Sequence, residues 1–130
     1  MVKKISKILS LLVIIFPSVS LCEWTQIAST TQGDVYSIDF DRVTSDEDYV
    51  YYWRLSNYAK PTKYHDLSAL VHVKVDCESN STMDLQVTFY KQANAKGDGE
   101  TLNRKPKWNS VHPNGVSEAL FKAVCEFEQS

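Results

Sequence analysis

Ser68 to Cys77, SALVHVKVDC, alternates apolar and polar positions with the period of a strand that buries one face. Ala69, Val71, Val73, Val75 and Cys77 fall on the apolar side, and Leu70, His72, Lys74 and Asp76 on the other. The same period predicts further strands: Trp24 to Ala28, Val35 to Phe40 after a turn at Gly33, and the aromatic run YVYYWRLSNY from Tyr49 to Tyr58. In that run Tyr49, Tyr51, Trp53 and Leu55 share one face, and Val50, Tyr52, Arg54 and Tyr58 the other. Asp46-Glu47-Asp48 reads as a solvated turn, and Pro61 ends the aromatic strand. Met83, Leu85, Val87 and Phe89 make a strand that should form a hairpin with SALVHVKVDC through Glu78 to Ser81. Gln92 to Lys107 is polar, contains Gly97 and Gly99, and is expected to be a long mobile loop before a short last strand at Trp108 to Val111.

After Pro113-Asn114-Gly115 the period changes to that of a helix. Val116, Leu120, Val124 and Phe127 form a stripe with Ala119 and Ala123 beside it, while Glu118, Lys122 and Glu126 cluster opposite at i, i+4 spacing. Cys125 lies at the edge of the apolar arc and Cys77 at the buried end of its strand, so a disulfide from helix to sheet is expected. The fold class is therefore α+β: a single antiparallel sheet of about six strands carrying one C-terminal helix tied to it by Cys77 and Cys125.

Residues 1–22 have a different character. Lys3, Lys4 and Lys7 precede the apolar run Ile8 to Val19, which is short for a membrane span and interrupted by Pro17, and Ser18, Ser20 and Cys22 follow as small residues. This is a signal peptide, and one domain of residues 23–130 follows it. Two fates are open to Cys22. Cleavage after it leaves a chain beginning Glu23-Trp24; retention as a lipidated first residue, as in a bacterial lipoprotein, tethers the chain to the outer membrane, although Leu21 stands where the lipoprotein signal has a small residue. Without the leader, eleven basic side chains face sixteen acidic ones, a net charge of −5. No basic cluster or helix is available for a phosphate backbone, so no nucleic-acid partner is expected.

Candidate chemistry is sparse. His65, His72 and His112 stand in unrelated contexts and read as surface histidines; no HExxH, CxxC or Ser-His-Asp pattern occurs, and the acidic turn lacks calcium-loop spacing. No catalytic residue, metal ligand or cofactor is expected. The aromatic run is the one candidate contact surface, on the side that carries Tyr52, Arg54 and Tyr58, with core and cross-strand packing as the other use of its rings. The Asn80-Ser81-Thr82 sequon is set aside because the leader looks bacterial.

In order and spacing the landmarks resemble the surface-adhesin protein E family of small exported Gram-negative proteins. They are Trp24, Val35 to Asp39, Tyr51 to Tyr58 with Lys60-Pro61, Ser68, Asp76-Cys77, Tyr90, Gly99, Trp108 with Val111 and Pro113, and Leu120 to Cys125. The resemblance implies a sheet with a disulfide-tied helix, a place in the periplasm or on the outer-membrane surface, and adhesion to host extracellular proteins, with no catalytic motif. The expected function is a non-enzymatic binding module whose partner is a host matrix or envelope protein; the alternative is a small periplasmic accessory domain of an envelope complex without adhesive activity. A homodimer is compatible with either.

Overall fold

The computed structural model describes residues 23–130. The expected leader and both fates of Cys22 lie outside the described residues. Among the described residues eight strands precede one helix: β1 (Thr25–Ser29), β2 (Val35–Ile38), β3 (Thr44–Ser45), β4 (Val50–Asn57), β5 (Ser68–Asp76), β6 (Ser81–Gln92), β7 (Lys96–Asn103), β8 (Asn109–Ser110) and α1 (Val116–Gln129). A short 3-10 turn, Phe40–Arg42, joins β2 to β3. The continuous path has the six strands expected, in the order β1-β2-β4-β5-β6-β7, with the two-residue strands β3 and β8 on β4 and β6. Every pairing is antiparallel. Extra residues in β1 and β6, at Ile27 and Leu85, interrupt the register and let the sheet curl.

The register decides which face is buried. Val50, Tyr52, Arg54 and Ser56 of β4 stand opposite Val75, Val73, Val71 and Ala69 of β5, so the apolar row of SALVHVKVDC places the Tyr52 row of β4 on the core side. Ile38, Val71, Val73, Val75 and Val87 meet Leu120, Phe121, Val124 and Cys125 of α1 in one buried cluster. The helix crosses β1 and β4. Its buried face is not quite the expected stripe: Phe121 is buried, whereas Phe127 stays 44% exposed and rests against Phe40 with ring centroids 5.0 Å apart. Cys125 turns the helix, because its bond to Cys77 points that side of α1 at the sheet and Phe121, one turn earlier, follows it. The two Cα atoms are 5.9 Å apart, within the ordinary span of a disulfide.

The expectation of a mobile loop over Gln92 to Lys107 is corrected. Residues Lys96–Asn103 form β7, which pairs with β6 from Gln86 to Gln92. All eight residues are exposed, so the strand is held by backbone hydrogen bonds and leaves no apolar alternation in the sequence. Its tight turn uses Asn94 and Ala95 at φ of 62° and 57°. The left-handed conformation costs free energy in a non-glycine residue, and side-chain bonds offset it. Asn57 and Asn94 exchange hydrogen bonds of 2.8 and 3.0 Å, and the Ala95 N–H donates to the buried Ser68 hydroxyl at 3.0 Å.

Candidate contact surface

The face of the sheet turned away from α1 carries the other β4 row. Tyr51 pairs with Lys74 and Trp53 with His72, so cross-strand register alone sets an aromatic residue beside a cation or imidazole twice in succession. Trp53 and His72 stack with ring centroids 4.4 Å apart and 8° between planes. The Arg42 guanidinium, at the end of the 3-10 turn, lies 5.5 Å from the Trp24 ring and 5.4 Å from the Trp53 ring. Lys74 Nζ sits 4.1 Å over Tyr49 and 5.7 Å from Trp108, and those two rings are themselves 5.4 Å apart. The result is a strip of rings and cations running from Trp24 through Arg42, Trp53, His72 and Lys74 to Tyr49 and Trp108. Each cation lies within the range of attraction to a ring face.

Two anchors hold the strip. Asp39, 1% exposed, accepts from the Arg42 Nε at 2.7 Å and from the Asp41 N–H at 3.0 Å, fixing the guanidinium between the indoles. Asp46 accepts from the Asp48 and Tyr49 N–H groups and, at 3.0 Å, from the Tyr51 hydroxyl. Those backbone donors, above all Asp48, hold the Asp46 carboxyl below its ordinary pKa, while burial and the bond to Asp46 raise that of Tyr51. The acidic turn is thus a solvated turn as expected, and it also orients a ring. Partial burial, reinforced by the Arg42 charge, lowers the pKa of His72. The strip is therefore cationic at Arg42 and Lys74, with a neutral imidazole between them at neutral pH.

The residues expected to form a contact surface lie elsewhere. Tyr52 is 2% exposed, facing the core, so its ring offers no area to a partner; this part of the expectation is corrected. Arg54 shares that row and lines a cavity beside α1, and Tyr58 is half-buried against the core. The aromatic side of β4 that solvent reaches is the Tyr49, Tyr51 and Trp53 side. Arg42 has no sequence signal, and Trp24 stands out in the sequence only as a strand start and a family landmark; both join the strip through chain folding. His72, expected to be an ordinary surface histidine, is instead a stacked member of the strip. His65 lies in the loop before β5 and His112 after β8, apart from it. Among the described residues no group of three histidine, cysteine or acidic side chains is placed to hold a metal ion, and no helix is long and apolar enough to cross a membrane.

The family model for surface-adhesin protein E matches residues 24–126. The chain belongs to the surface-adhesin protein E family. Membership places it among adhesin-like, exported surface proteins, a family named for attachment and not for a reaction. A search of curated proteins finds no match. Among solved structures, crystal form II of Haemophilus influenzae protein E superposes with a TM-score of 0.66 at 14% identity, covering 88% of this chain and 95% of that one. Another structure of Haemophilus influenzae protein E gives 0.63 at 14% identity, with 88% and 92% covered. At that identity the likeness concerns the fold: the family's sheet and helix persist while most side chains differ.

Proposed function

We propose that the chain is a non-enzymatic binding module of the bacterial envelope that grips a protein partner with the Trp24 to Trp108 strip. The observation that carries this is the strip's composition. Amphipathic rings interleaved with fixed cations and held by Asp39 and Asp46 form a surface of the residue types that dominate protein interfaces, and its ordering precedes binding. The cations favour a partner that presents acidic side chains around an apolar centre. Host matrix proteins are the first partner class, in keeping with the family, and envelope proteins the second; neither requires nucleic acid or a cofactor. A chain cleaved after Cys22 works from the periplasm or in free form, whereas lipidation of Cys22 presents the strip at the outer-membrane surface, and fatty-acid labelling of the exported chain separates the two.

The test is binding of the exported chain to immobilised matrix proteins and, separately, to solubilised envelope proteins. Saturable binding that weakens at least tenfold in Trp53→Ala and in Lys74→Glu is expected. A flat response across both panels, or binding that both variants retain in full, overturns the proposal. Binding confined to the envelope panel, and lost in the variants, keeps the strip but reassigns the module to an accessory role in an envelope complex.

A further inference from the structure

On the opposite face, the core row of β4 contains an arginine. Arg54 lies between the buried Tyr52 and Ser56, opposite Val71 of β5 and Ile38 of β2. Its Nε donates to the Ser56 hydroxyl at 3.3 Å, and among the described residues no carboxylate lies within ion-pair distance of it. The guanidinium also hydrogen-bonds the Tyr52 hydroxyl, and Asp84, next in the cross-strand row through Val73, acts on that phenol only from beyond contact. A partly buried cation bonded to neutral hydroxyls alone has given up hydration without a counter-charge in contact, and an apolar side chain of similar volume would be cheaper there. The guanidinium borders a cavity of about 260 Å³ whose other polar walls are Tyr36, Tyr52, Thr82 and Ser117, with Leu120 as an apolar one. Burial raises the Tyr52 pKa, so the phenol keeps its proton at neutral pH as a hydrogen-bond donor. The first turn of α1 reaches the same cavity through Val116 and Ser117, and its cap, Gly115, has no side chain to engage the free N–H groups. Glu118, the acid of that turn, is engaged by Lys122 at 3.0 Å and by the Asn114 N–H.

We propose that this cavity is a binding site for a small oxyanion, a sulfate or phosphate group gripped by the forked Arg54 guanidinium with hydroxyl donors of Tyr52 and its neighbours around it. Arginine's planar set of donors matches such groups in a bidentate manner. The volume is below that of drug-sized ligand sites, so the cavity takes a free ion or one protruding sulfate or phosphate group. It lies on the face away from the aromatic strip, so its failure and the failure of the proposed contact surface are separate events.

The experiment is thermal unfolding and calorimetric titration of the exported chain with sodium sulfate, sodium phosphate and glucose 6-phosphate, each against sodium chloride at equal ionic strength. A saturable rise in melting temperature is expected, about 6 °C at tenfold over the dissociation constant. Arg54→Met should melt at or above the wild-type temperature in chloride and lose the anion response; Arg54→Lys should weaken binding about tenfold. Should Arg54→Met fail to fold, Tyr52→Phe keeps the ring and is expected to weaken binding severalfold with the chloride melting point nearly unchanged. Glucose 6-phosphate binding as well as phosphate identifies a group carried on a larger ligand; binding of the inorganic ions alone identifies a free ion. No response beyond chloride, or a response that Arg54→Met or Tyr52→Phe retains in full, overturns the site and leaves Arg54 a structural residue.

Discussion

Opening the Cys77–Cys125 bridge should separate the part of the helix-to-sheet attachment that is covalent from the part that is packing. The bridge closes a loop with a sequence separation of 48, and in the chain-entropy description removing it costs about 4 kcal/mol. With an unfolding entropy of about 2.1 cal/mol/K per residue, the described domain should lose about 18 °C of melting temperature. The perturbation has to be chosen with care. Cys125 is 7% exposed, so serine there would leave a buried hydroxyl and add a penalty unrelated to the bridge. The Cys77→Ala, Cys125→Ala double variant avoids this, and the wild-type chain melted in reductant provides an independent reading of the same loss. Both should unfold in a single transition, since Leu120, Phe121 and Val124 still bury α1 against the sheet. Circular dichroism at a helix-sensitive wavelength and tryptophan fluorescence, which reports the strip on the far face, should give coincident curves. A drop of less than about 5 °C in both samples would mean that the denatured chain already keeps its ends together and that the bridge does not stabilise by constraining it. Non-coincident curves, with the helix signal lost first, would refute the single cooperative unit.

Two further outcomes follow from the strip. Asp39→Ala removes the buried acceptor of Arg42 and of the Asp41 N–H; with the Arg42 side chain 40% exposed, the expected loss is about 1–2 kcal/mol, read as a lower melting temperature together with altered tryptophan emission, and an unchanged emission spectrum would show that Arg42 is not held by Asp39. For His72, whose folded pKa lies below its ordinary 6.5 through burial and then the Arg42 charge, the unfolded chain binds the proton more readily. The stabilisation is therefore complete above about pH 6.5 and is lost as pH falls through the unfolded value toward the folded one, so melting temperature should decline from pH 7.5 to 5.5 in wild type and decline less in His72→Phe. Parallel curves for the two proteins would contradict this.

The sheet and helix were legible because their apolar periods are strong, and the disulfide because Cys77 ends the apolar row of its strand and Cys125 borders the apolar arc of the helix. What alternation cannot supply is the sign of a face. In β4 both rows are aromatic, and only the register with β5, Val50 opposite Val75 and Tyr52 opposite Val73, decides that Tyr52 goes in and Trp53 out. A shift of one residue in parity moves every side chain to the opposite side, which is why the Tyr52 row lies in the core and the Trp53 row is the candidate contact surface. Strand β7 was illegible for another reason: its eight exposed residues carry no burial signal, and the turn that starts it uses Asn94 and Ala95 in place of a glycine. The strip was illegible because its members come from separate stretches, Trp24, Arg42, Tyr49 to Trp53, His72 with Lys74, and Trp108, which meet only in the folded sheet. Arg54 was visible as a charge among aromatics, but its meaning reversed once the parity was known. On a solvated face an arginine needs no explanation, whereas in a row bounded by Val71 and Ile38, with no carboxylate among the described residues within ion-pair distance, it leaves a positive charge that a counter-ion would satisfy.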